Sequence, residues 1–408
     1  MKRNLKLGLF GFGCVGQGLF HVLHETRGVK ATIQKICVKT PGKPRPIQED
    51  LFTYNKQDIL GDPEIDVVVE LIDDANAAFE IVKAALQQGK AVVTANKRML
   101  AEHLEEIYQL QQTYQRPVLY EGSVCGSIPI IRNLEEYYDN DLINSVEGIF
   151  NGSTNYILTK VFEERQGYAD ALKKAQELGF AESDPSLDVK AYDPAFKLTI
   201  LIAHAFGVFI APENMIRFGI DKISATDLRY AKDHQLSIKL VARAFKEGDK
   251  IYGLVAPQFV SEQHPLSSVR NEYNAVSVEG AFAEKQLFVG KGAGSYPTGS
   301  AVLSDVSALT YDYRYEYKKR HQENLLVFSN EATVEVVVSF TKPGQVTVAD
   351  FAVFTGGFQA GGQQSLSGAV QLEKIREWSN QEGISVILAP GVSLRPLAVA
   401  KKEALTYA

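Results

Sequence analysis

Hydrophobic positions in the first hundred residues follow two alternating periods. LKLGLF (5–10) is predicted as the first strand, and IDVVVELI (65–72) is a continuous apolar run, as a strand that is buried on both faces should be. Stretches at 15–26 and 79–90 have helical spacing instead, and Gly89 near the end of the second is a stop signal. Further strands are predicted at 32–38, 91–97 and 116–124. Strands that alternate with helices predict a parallel sheet with helical crossovers.

The pattern changes after about residue 134. Longer helical patterns cover 153–178, 193–207 and 224–247, and they alternate with strand-like segments such as NSVEGIF and KIYGLVA. Residues 299–312 are again helical, and a tyrosine-rich, charged connector follows at 311–324. The tail contains the strands TVEVVVSF, FAVF and ISVILAP, the helix LEKIREWSNQ, and FTGGFQAGGQQ, which we interpret as a glycine-rich loop.

Composition and charge narrow the class of protein. The 408 residues exceed the size of one domain core, so two or three domains are expected. A formal net charge of −6 gives no electrostatic footprint for nucleic acid. Three widely spaced cysteines argue against a disulfide framework and favour a reducing cytoplasm. The longest apolar run, 198–212, is too short to span a bilayer, so no membrane segment is expected.

A glycine motif follows the first predicted strand and opens the first predicted helix. It reads Gly11-Phe12-Gly13-Cys14-Val15-Gly16. The first glycine permits a tight turn, the second lets a pyrophosphate approach the backbone, and the third allows close packing of helix on strand. The helix N-terminus, at Cys14 and Val15, would then face the phosphates. The motif predicts a Rossmann-type dinucleotide site, and a glycine-rich turn without a ligand is the alternative.

The residues after the second predicted strand bear on the choice of cofactor. An acid there would bind the ribose 2′-hydroxyl of NAD. Instead Lys39 follows the strand, and Lys43 and Arg45 lie just beyond it. Because basic side chains suit a 2′-phosphate, NADP is expected as the cofactor. NAD and a merely solvated basic loop are the alternatives.

Charge is concentrated in AESDPSLDVKAYDPAFKL (181–198), directly before an apolar run. The segment contains Glu182, Asp184, Asp188 and Asp193, and then Lys197. Aspartate is a good N-cap and proline is favoured at the first helical position, so we predict a helix that starts at Pro194 with Lys197 in its first turn. Either a solvated acidic loop caps a helix here, or the acids and the lysine form a site.

Several further segments occur in an order that resembles the homoserine dehydrogenase family. They are VVTANK (92–97), EGSVCGSIPII (121–131), GIFNGSTNYIL (148–158), AQELGFAESDPSLDV (175–189), YDPAFKL (192–198) and GKGAG…PTGSAVLSD (290–305). The resemblance implies NAD(P)H-dependent, reversible reduction of L-aspartate 4-semialdehyde to L-homoserine. That reaction belongs to the biosynthesis of threonine, methionine and isoleucine.

The resemblance also implies roles for individual residues. Lys197 is implied as the catalytic proton donor. The implied substrate-binding residues are Glu182, Asp188, Asp193 and Lys97, of which Lys97 also contacts the nicotinamide. The implied cofactor contacts beyond the glycine motif and Lys39 are Gly179 and Gly294. A sodium or potassium ion is implied in a loop that supplies mainly carbonyl oxygens, from Glu121, Val124, Gly126 and Ile128.

The chain departs from the family pattern near the expected cofactor. Asp73 and Asp74 stand where the family usually has a Gly-Gly pair, and Ser127 replaces the second glycine of the ion loop. Two carboxylates there would add negative charge and bulk. We therefore expect these carboxylates to affect cofactor affinity and preference. The activity itself is expected to persist, because the side chains to which chemistry is assigned are retained.

The resemblance implies an α/β architecture of three domains in a homodimer. Residues 1–133, completed by about 296–320, form a Rossmann-type parallel-sheet nucleotide-binding domain, and 134–295 form an α+β catalytic and dimerisation domain. A small C-terminal α+β domain covers 321–408. Relatives often carry an ACT-like βαββαβ domain there, which binds an amino-acid effector such as threonine. The first helix of that fold is not visible in this sequence.

Two other functions fit parts of the sequence. Cys125, in a glycine-containing turn, could act as the nucleophile of another NAD(P)-dependent aldehyde dehydrogenase. A small residue packed in a loop is the simpler interpretation. A dinucleotide-sensing regulator without turnover would keep the glycine motif and lose the acid–lysine segment. The sequence keeps both features, which favours an enzyme.

Overall fold

The structure is a computed structural model, and it describes residues 4–140, 142–322, 325–360, 363–391 and 395–396. The strands, in chain order, are β1 (Leu5–Phe10), β2 (Ala31–Cys37), β3 (Phe52–Thr53), β4 (Val67–Glu70), β5 (Ala91–Thr94), β6 (Val118–Leu119), β7 (Ile143–Ile149), β8 (Ile216–Arg217), β9 (Leu236–Glu247), β10 (Lys250–Ser261), β11 (Tyr273–Gly280), β12 (Glu284–Lys291), β13 (Val327–Phe328), β14 (Ala332–Phe340), β15 (Val353–Ala360), β16 (Gln363–Gln371), β17 (Ile384–Leu388) and β18 (Arg395–Pro396).

The α-helices range from single turns to a helix of 18 residues. In chain order they are α1 (Cys14–Glu25), α2 (Gln57–Leu60), α3 (Ala75–Gln87), α4 (Lys97–Tyr114), α5 (Ile130–Glu136), α6 (Gly152–Glu163), α7 (Tyr168–Glu177), α8 (Ser186–Val189), α9 (Tyr192–Phe206), α10 (Ala225–Asp233), α11 (Ser295–Leu309) and α12 (Leu372–Ser379). Across the described ranges, no helix combines the length and the apolar character that crossing a membrane requires.

The described chain folds as two compact units. The first, here called the nucleotide unit, contains residues 4–140, 203–209 and 290–321. Its sheet has the strand order β3-β2-β1-β4-β5-β6, and every pairing is parallel. This strand order is that of the doubly wound dinucleotide-binding fold. From β1 the chain adds β2 and β3 on one side of the sheet, and it then returns to add β4, β5 and β6 on the other side. The predicted α/β class is confirmed.

Helix α11 returns to the nucleotide unit late in the chain and packs on α1. The contact depends on Gly18 in α1 and Gly299 in α11. A Cβ atom at Gly18 would overlap the carbonyl group of Ser295, and one at Gly299 would lie 2.6 Å from the carbonyl carbon of Gly18. The two backbones therefore touch, which only glycine permits at these positions.

The second unit, here called the sheet unit, contains the described residues of 142–202, 210–289 and 322–396. Its main sheet has the strand order β12-β11-β7-β9-β10-β17-β14-β16-β15. The predicted helix over 224–247 is wrong in its second half, because α10 ends at Asp233 and β9 begins at Leu236. Gln235, with φ of 57°, breaks the helix between them. The apolar positions of β9 fit both the helical and the strand period. This segment forms a strand because it pairs with β7 on one side and with β10 on the other.

The described part of the tail lies within the sheet unit and contains, in chain order, β14, a 3-10 turn, β15, β16, α12 and β17. Its strand order is β17-β14-β16-β15, and β14 and β15 both run antiparallel to β16. They are joined across 341–352, where the helical element is a single 3-10 turn at Val348–Asp350. The glycine-rich loop expected at 354–364 is wrong, because the described residues there belong to β15 and β16. Trp378 and Ile375 of α12 pack in the core of this unit.

Candidate active site

The glycine motif forms a turn that only glycine can complete. Gly11 has φ of +93°, and a Cβ there would lie 2.6 Å from the carbonyl oxygen of Leu71. A Cβ at Gly16 would lie 2.8 Å from the carbonyl oxygen of Gly11. Gly13, by contrast, has open space around its missing side chain and precedes the first residue of α1, Cys14. An open glycine at an uncapped helix N-terminus fits the phosphates of a dinucleotide.

The basic residues after β2 differ in what they contact. Lys39 is exposed directly beyond the strand end. Arg45 donates hydrogen bonds to the carbonyl oxygens of Thr40 at 2.7 Å and Lys43 at 3.0 Å. Its guanidinium also lies 4.8 Å from the ring centre of Phe52. Arg45 thus stabilises its own loop, and Lys39 has the more open position for a 2′-phosphate.

Asp73 and Asp74, which follow β4, are both exposed. Asp74 is the N-cap of α3, and its carboxylate accepts a hydrogen bond from the backbone of Ala77 at 2.9 Å. Nearby Glu70 is fully buried at the end of β4 and accepts hydrogen bonds from Thr94 Oγ1 at 2.6 Å and Ile72 N at 2.7 Å. Burial raises the pKa of Glu70 to about 7, and the negative charge of Asp73 adds to the effect.

Lys197 is the centre of a buried cluster in the sheet unit. Its Nζ donates to Asp193 Oδ2 at 2.8 Å and to the carbonyl oxygen of Phe150 at 2.7 Å. Lys197 is 6% exposed and Asp193 is 4% exposed. Two opposite charges in contact at this depth interact far more strongly than at a surface. The cluster is therefore a fixed feature of the fold.

The start of α9 differs from the prediction. The helix begins at Tyr192 after Ala191, whose φ of 62° makes the turn, so Lys197 lies in the second turn. Asp193 is inside the helix and is not its N-cap. Its carboxylate is held by Lys197 and by Asn151, and this tertiary contact replaces the capping bond that its residue type favours.

Asn151 connects the two acids of the cluster. Its Nδ2 donates to Asp188 Oδ1 at 2.6 Å and to Asp193 Oδ2 at 2.8 Å. Its Oδ1 accepts hydrogen bonds from the backbone and the hydroxyl of Thr154, both at 2.9 Å, as the N-cap of α6. The sequence interpretation missed this residue. Asn between a predicted strand and a helical pattern is an N-cap signal that could have located it.

The remaining predicted site residues do not all lie in this cluster. Glu182 has an exposed side chain on the loop after α7, and its carbonyl oxygen accepts a hydrogen bond from Gln176 at 3.0 Å. Gly179, with φ of +75° and open space beside it, lies on the same loop. Lys97 is the first residue of α4, and Gly294, with φ of +122°, is the N-cap of α11. Both belong to the nucleotide unit.

Hydrogen bonds to buried acidic side chains stabilise the segment 121–132. The Glu121 carboxylate accepts hydrogen bonds from the backbone of Ile131 and Arg132, both at 2.9 Å. The backbone N–H of Glu121 in turn donates to Asp305 Oδ2 at 2.8 Å. Arg132 donates to Asp305 Oδ1 at 3.1 Å. Burial raises the pKa of both acids, and the charge of Glu121 helps to raise that of Asp305 to about 8.

The loop inside this segment makes its turn at two residues with positive φ, Cys125 at 53° and Gly126 at 51°. A Cβ at Gly126 would lie 2.7 Å from the carbonyl oxygen of Lys291. Val124 and Cys125 are fully buried, and Ile128 is nearly so. A thiol at that depth is inert toward a substrate aldehyde, because a nucleophilic cysteine needs access and a thiolate. The described residues hold no cluster of three His, Cys, Asp or Glu side chains for a metal ion.

Comparisons with known proteins agree on one family. Residues 11–121 match the family described as "Homoserine dehydrogenase, NAD binding domain", and residues 129–307 match "Homoserine dehydrogenase". A homoserine dehydrogenase of Helicobacter pylori is 40% identical over 318 residues, which cover 75% of this chain and 74% of that protein. The structure of a homoserine dehydrogenase from Thiobacillus denitrificans has a TM-score of 0.81 at 30% identity and covers 95% of this chain and 98% of that one. A hyperthermophilic archaeal homoserine dehydrogenase mutant, solved in complex with NADPH, has a TM-score of 0.65 at 26% identity, covering 76% and 99%.

These matches define an NAD(P)-dependent oxidoreductase that acts on a CH–OH group, a class in agreement with the glycine motif. Its cofactor is a nicotinamide dinucleotide and its substrate is a small molecule. The chain belongs to the homoserine dehydrogenase family. The predicted family and activity are confirmed, and neither the regulator nor the Cys125-dependent dehydrogenase is favoured.

Proposed function

We propose that this homoserine dehydrogenase reduces L-aspartate 4-semialdehyde reversibly with Lys197 as the proton donor. The observation that carries the proposal is the burial of Lys197 Nζ between Asp193 Oδ2, at 2.8 Å, and the carbonyl oxygen of Phe150, at 2.7 Å. An ammonium group has three N–H donors, so these two contacts leave one for a substrate oxygen. A nicotinamide cofactor, when bound, supplies the hydride. Lys197 gives its proton, directly or through water, to the aldehyde oxygen, which becomes the hydroxyl of homoserine.

The acids of the sheet unit suit the other end of the substrate. The substrate carries an ammonium group, and carboxylates bind it through charge-assisted hydrogen bonds. We assign this role to Asp193, Asp188 and Glu182. Lys97 is assigned to bind the substrate and the nicotinamide, where its charge would stabilise the developing alkoxide.

The catalytic assignment is tested by Lys197→Met, which keeps the length of the side chain and removes its proton. We expect kcat to fall by about 10²- to 10⁴-fold, the usual contribution of a positioned acid. The dissociation constant for NADPH should be unchanged. Lys190→Met is the matched control, since Lys190 is an exposed lysine only seven positions earlier. Near-normal kcat in Lys197→Met would remove the assignment.

The cofactor contacts are assigned to Gly11, Gly13, Cys14, Val15 and Gly16 at the phosphates, and to Gly179, Gly294 and Lys97 at the nicotinamide. A preference for NADP over NAD is assigned to Lys39, which is exposed beyond β2. Measuring the dissociation constants of NADPH and NADH with Lys39→Ala tests this. NADPH binding should weaken and NADH binding should not, because only NADPH carries the 2′-phosphate. Equal effects on both cofactors contradict the assignment.

A sodium or potassium ion is proposed in the loop with carbonyl oxygens from Glu121, Val124, Gly126 and Ile128. Two buried carboxyl groups, Glu121 and Asp305, lie 3.8 Å and 3.1 Å from the guanidinium of Arg132. A cation at the loop would stabilise their ionised forms, which burial disfavours. Potassium or sodium chloride should raise the Tm relative to choline chloride at equal ionic strength. The same Tm in all three salts would count against the ion.

The assembly and regulation of the enzyme are also proposals. We assign residues 1–133 and 296–320 to cofactor binding, 134–295 to catalysis and dimerisation, and 321–408 to regulation, in a cytoplasmic homodimer. The strand order β17-β14-β16-β15 supports an ACT-like tail and hence an amino-acid effector such as threonine. Titrating threonine into the activity assay, with light scattering for the molecular mass, tests both. Unchanged activity in the presence of threonine would contradict the proposed effector, and a monomeric mass would contradict the proposed dimer.

A further inference from the structure

Asn151 occupies the junction between the sheet and the lysine–carboxylate cluster. It follows β7 by two residues and is 4% exposed. Its Oδ1 is committed to the N-terminus of α6, where it accepts the backbone N–H and the hydroxyl of Thr154 at 2.9 Å. This fixes the orientation of the amide, because the cap requires an acceptor. The NH₂ group must then point at the acids.

The two hydrogens of that NH₂ group are donated to different carboxylates. Nδ2 lies 2.6 Å from Asp188 Oδ1 and 2.8 Å from Asp193 Oδ2. Both carboxylates are therefore within hydrogen-bond distance of one nitrogen, although like charges this close repel each other. Asp193 Oδ2 also accepts the hydrogen bond from Lys197 Nζ, so the amide and the catalytic ammonium share one acceptor atom.

The neutrality of the amide matters for what the acids can do. A lysine or arginine at this position would also donate to the two carboxylates, but it would add a positive charge beside them. An amide orients both acids and adds no charge to the cluster. This combination is what a site for an ammonium group needs.

We propose that Asn151 is a positioning residue that holds Asp188 and Asp193 in the geometry that receives the substrate ammonium group. Through Asp193 it also sets the place of Lys197. The inference rests on the proposed roles of Lys197 and the two acids. Asn151 itself exchanges no proton and touches no reacting atom.

Two substitutions separate this role from the capping role. Asn151→Ser keeps a good N-cap for α6 and removes the two N–H donors. Asn151→Asp keeps the cap and the shape of the side chain and places a third carboxylate against the other two. The homoserine KM should rise at least roughly tenfold in both variants, since the acids lose their alignment. Binding of NADPH should remain as in the wild type.

The pH profile gives a second readout that a purely structural role would not move. An added negative charge raises the pKa of a neighbouring ammonium group and of neighbouring carboxyls. The acidic limb of the pH profile of kcat for homoserine oxidation should therefore move to higher pH in Asn151→Asp, by roughly one unit. Asn151→Ser adds no charge and should leave that limb close to its wild-type position.

Ser224→Ala is the matched control for loss of a cap. Ser224 is the N-cap of α10 in the same unit, and its hydroxyl accepts the backbone N–H of Asp227. This variant should lower the Tm without changing the homoserine KM. Wild-type KM and pH profile in both Asn151 variants, which keep the cap, would reduce the residue to a cap and overturn the inference. Normal turnover in Lys197→Met would instead refute the proposed function, so the two failures are distinguishable.

Discussion

Glu70 makes the stability of the nucleotide unit dependent on pH near neutrality. Its carboxyl group is fully buried, and burial raises its pKa to about 7 from an ordinary 4.5. The hydrogen bonds from Thr94 and Ile72 favour the ionised form but do not offset the loss of hydration. The folded protein therefore binds this proton more tightly than the unfolded chain does. Its contribution to stability is complete below pH 4.5 and is lost as the pH rises through 7.

Glu70→Gln should remove most of this dependence. The amide keeps the size of the side chain and an acceptor for the backbone of Ile72, and it has no charge to bury. One pKa unit corresponds to about 1.4 kcal/mol, so the wild type should lose on the order of 3 kcal/mol between pH 4.5 and pH 8 relative to the variant. For a unit of this size that is a Tm difference of roughly 10 °C.

The assay is thermal unfolding from pH 4.5 to pH 8, followed by circular dichroism for both proteins. The variant should be more stable at pH 8, and the advantage should vanish toward pH 4.5. Glu80→Gln is the matched control, because Glu80 is an exposed glutamate on α3 of the same unit. Parallel Tm curves for wild type and Glu70→Gln would refute the reasoning, because they would mean that Glu70 titrates alike in the folded and unfolded chains.

Two further changes test packing within the nucleotide unit. Gly18→Ala places a methyl group against the carbonyl of Ser295 and should destabilise the contact between α1 and α11 by about 1–3 kcal/mol; thermal unfolding with and without NADPH measures it, and an unchanged Tm would contradict the close approach. His204→Phe removes the hydrogen bonds of His204 to Glu135 at 2.6 Å and to Tyr120 at 2.7 Å. Leaving the Glu135 carboxylate without this partner should cost about 3–5 kcal/mol in chemical unfolding, and a loss below about 1 kcal/mol would show that the pair contributes little.

The parallel sheet could be predicted because its signal is local. The core of IDVVVELI is apolar at nearly every position, as a strand covered on both faces must be, and β1 begins and ends at the residues predicted for LKLGLF. Residues 224–247 lack such a signal. Their apolar positions satisfy both the helical and the strand period, so the partners on either side of β9 decided its structure.

The candidate site was predictable only in part, for a related reason. Lys197 and Asp193 are four residues apart on one helix, so the sequence alone brings them together. The carbonyl oxygen of Phe150 and the amide of Asn151 come from the end of another strand, more than forty positions earlier. A backbone carbonyl has no sequence signal at all. These tertiary contacts also explain why Asp193 lies inside the helix and not at the predicted N-cap.

The formal charges of the cluster connect the fold to the substrate. Asp188 and Asp193 together carry two negative charges, Lys197 carries one positive charge, and Asn151, which joins the acids, carries none. Asp193 and Lys197 are buried and Asp188 is half-buried, so the charges of the cluster interact in surroundings that water screens poorly. Under the proposed assignment, the substrate adds its ammonium group to this cluster. The carboxylates of the loop before α9 would then complement the amino acid that the proposed site receives.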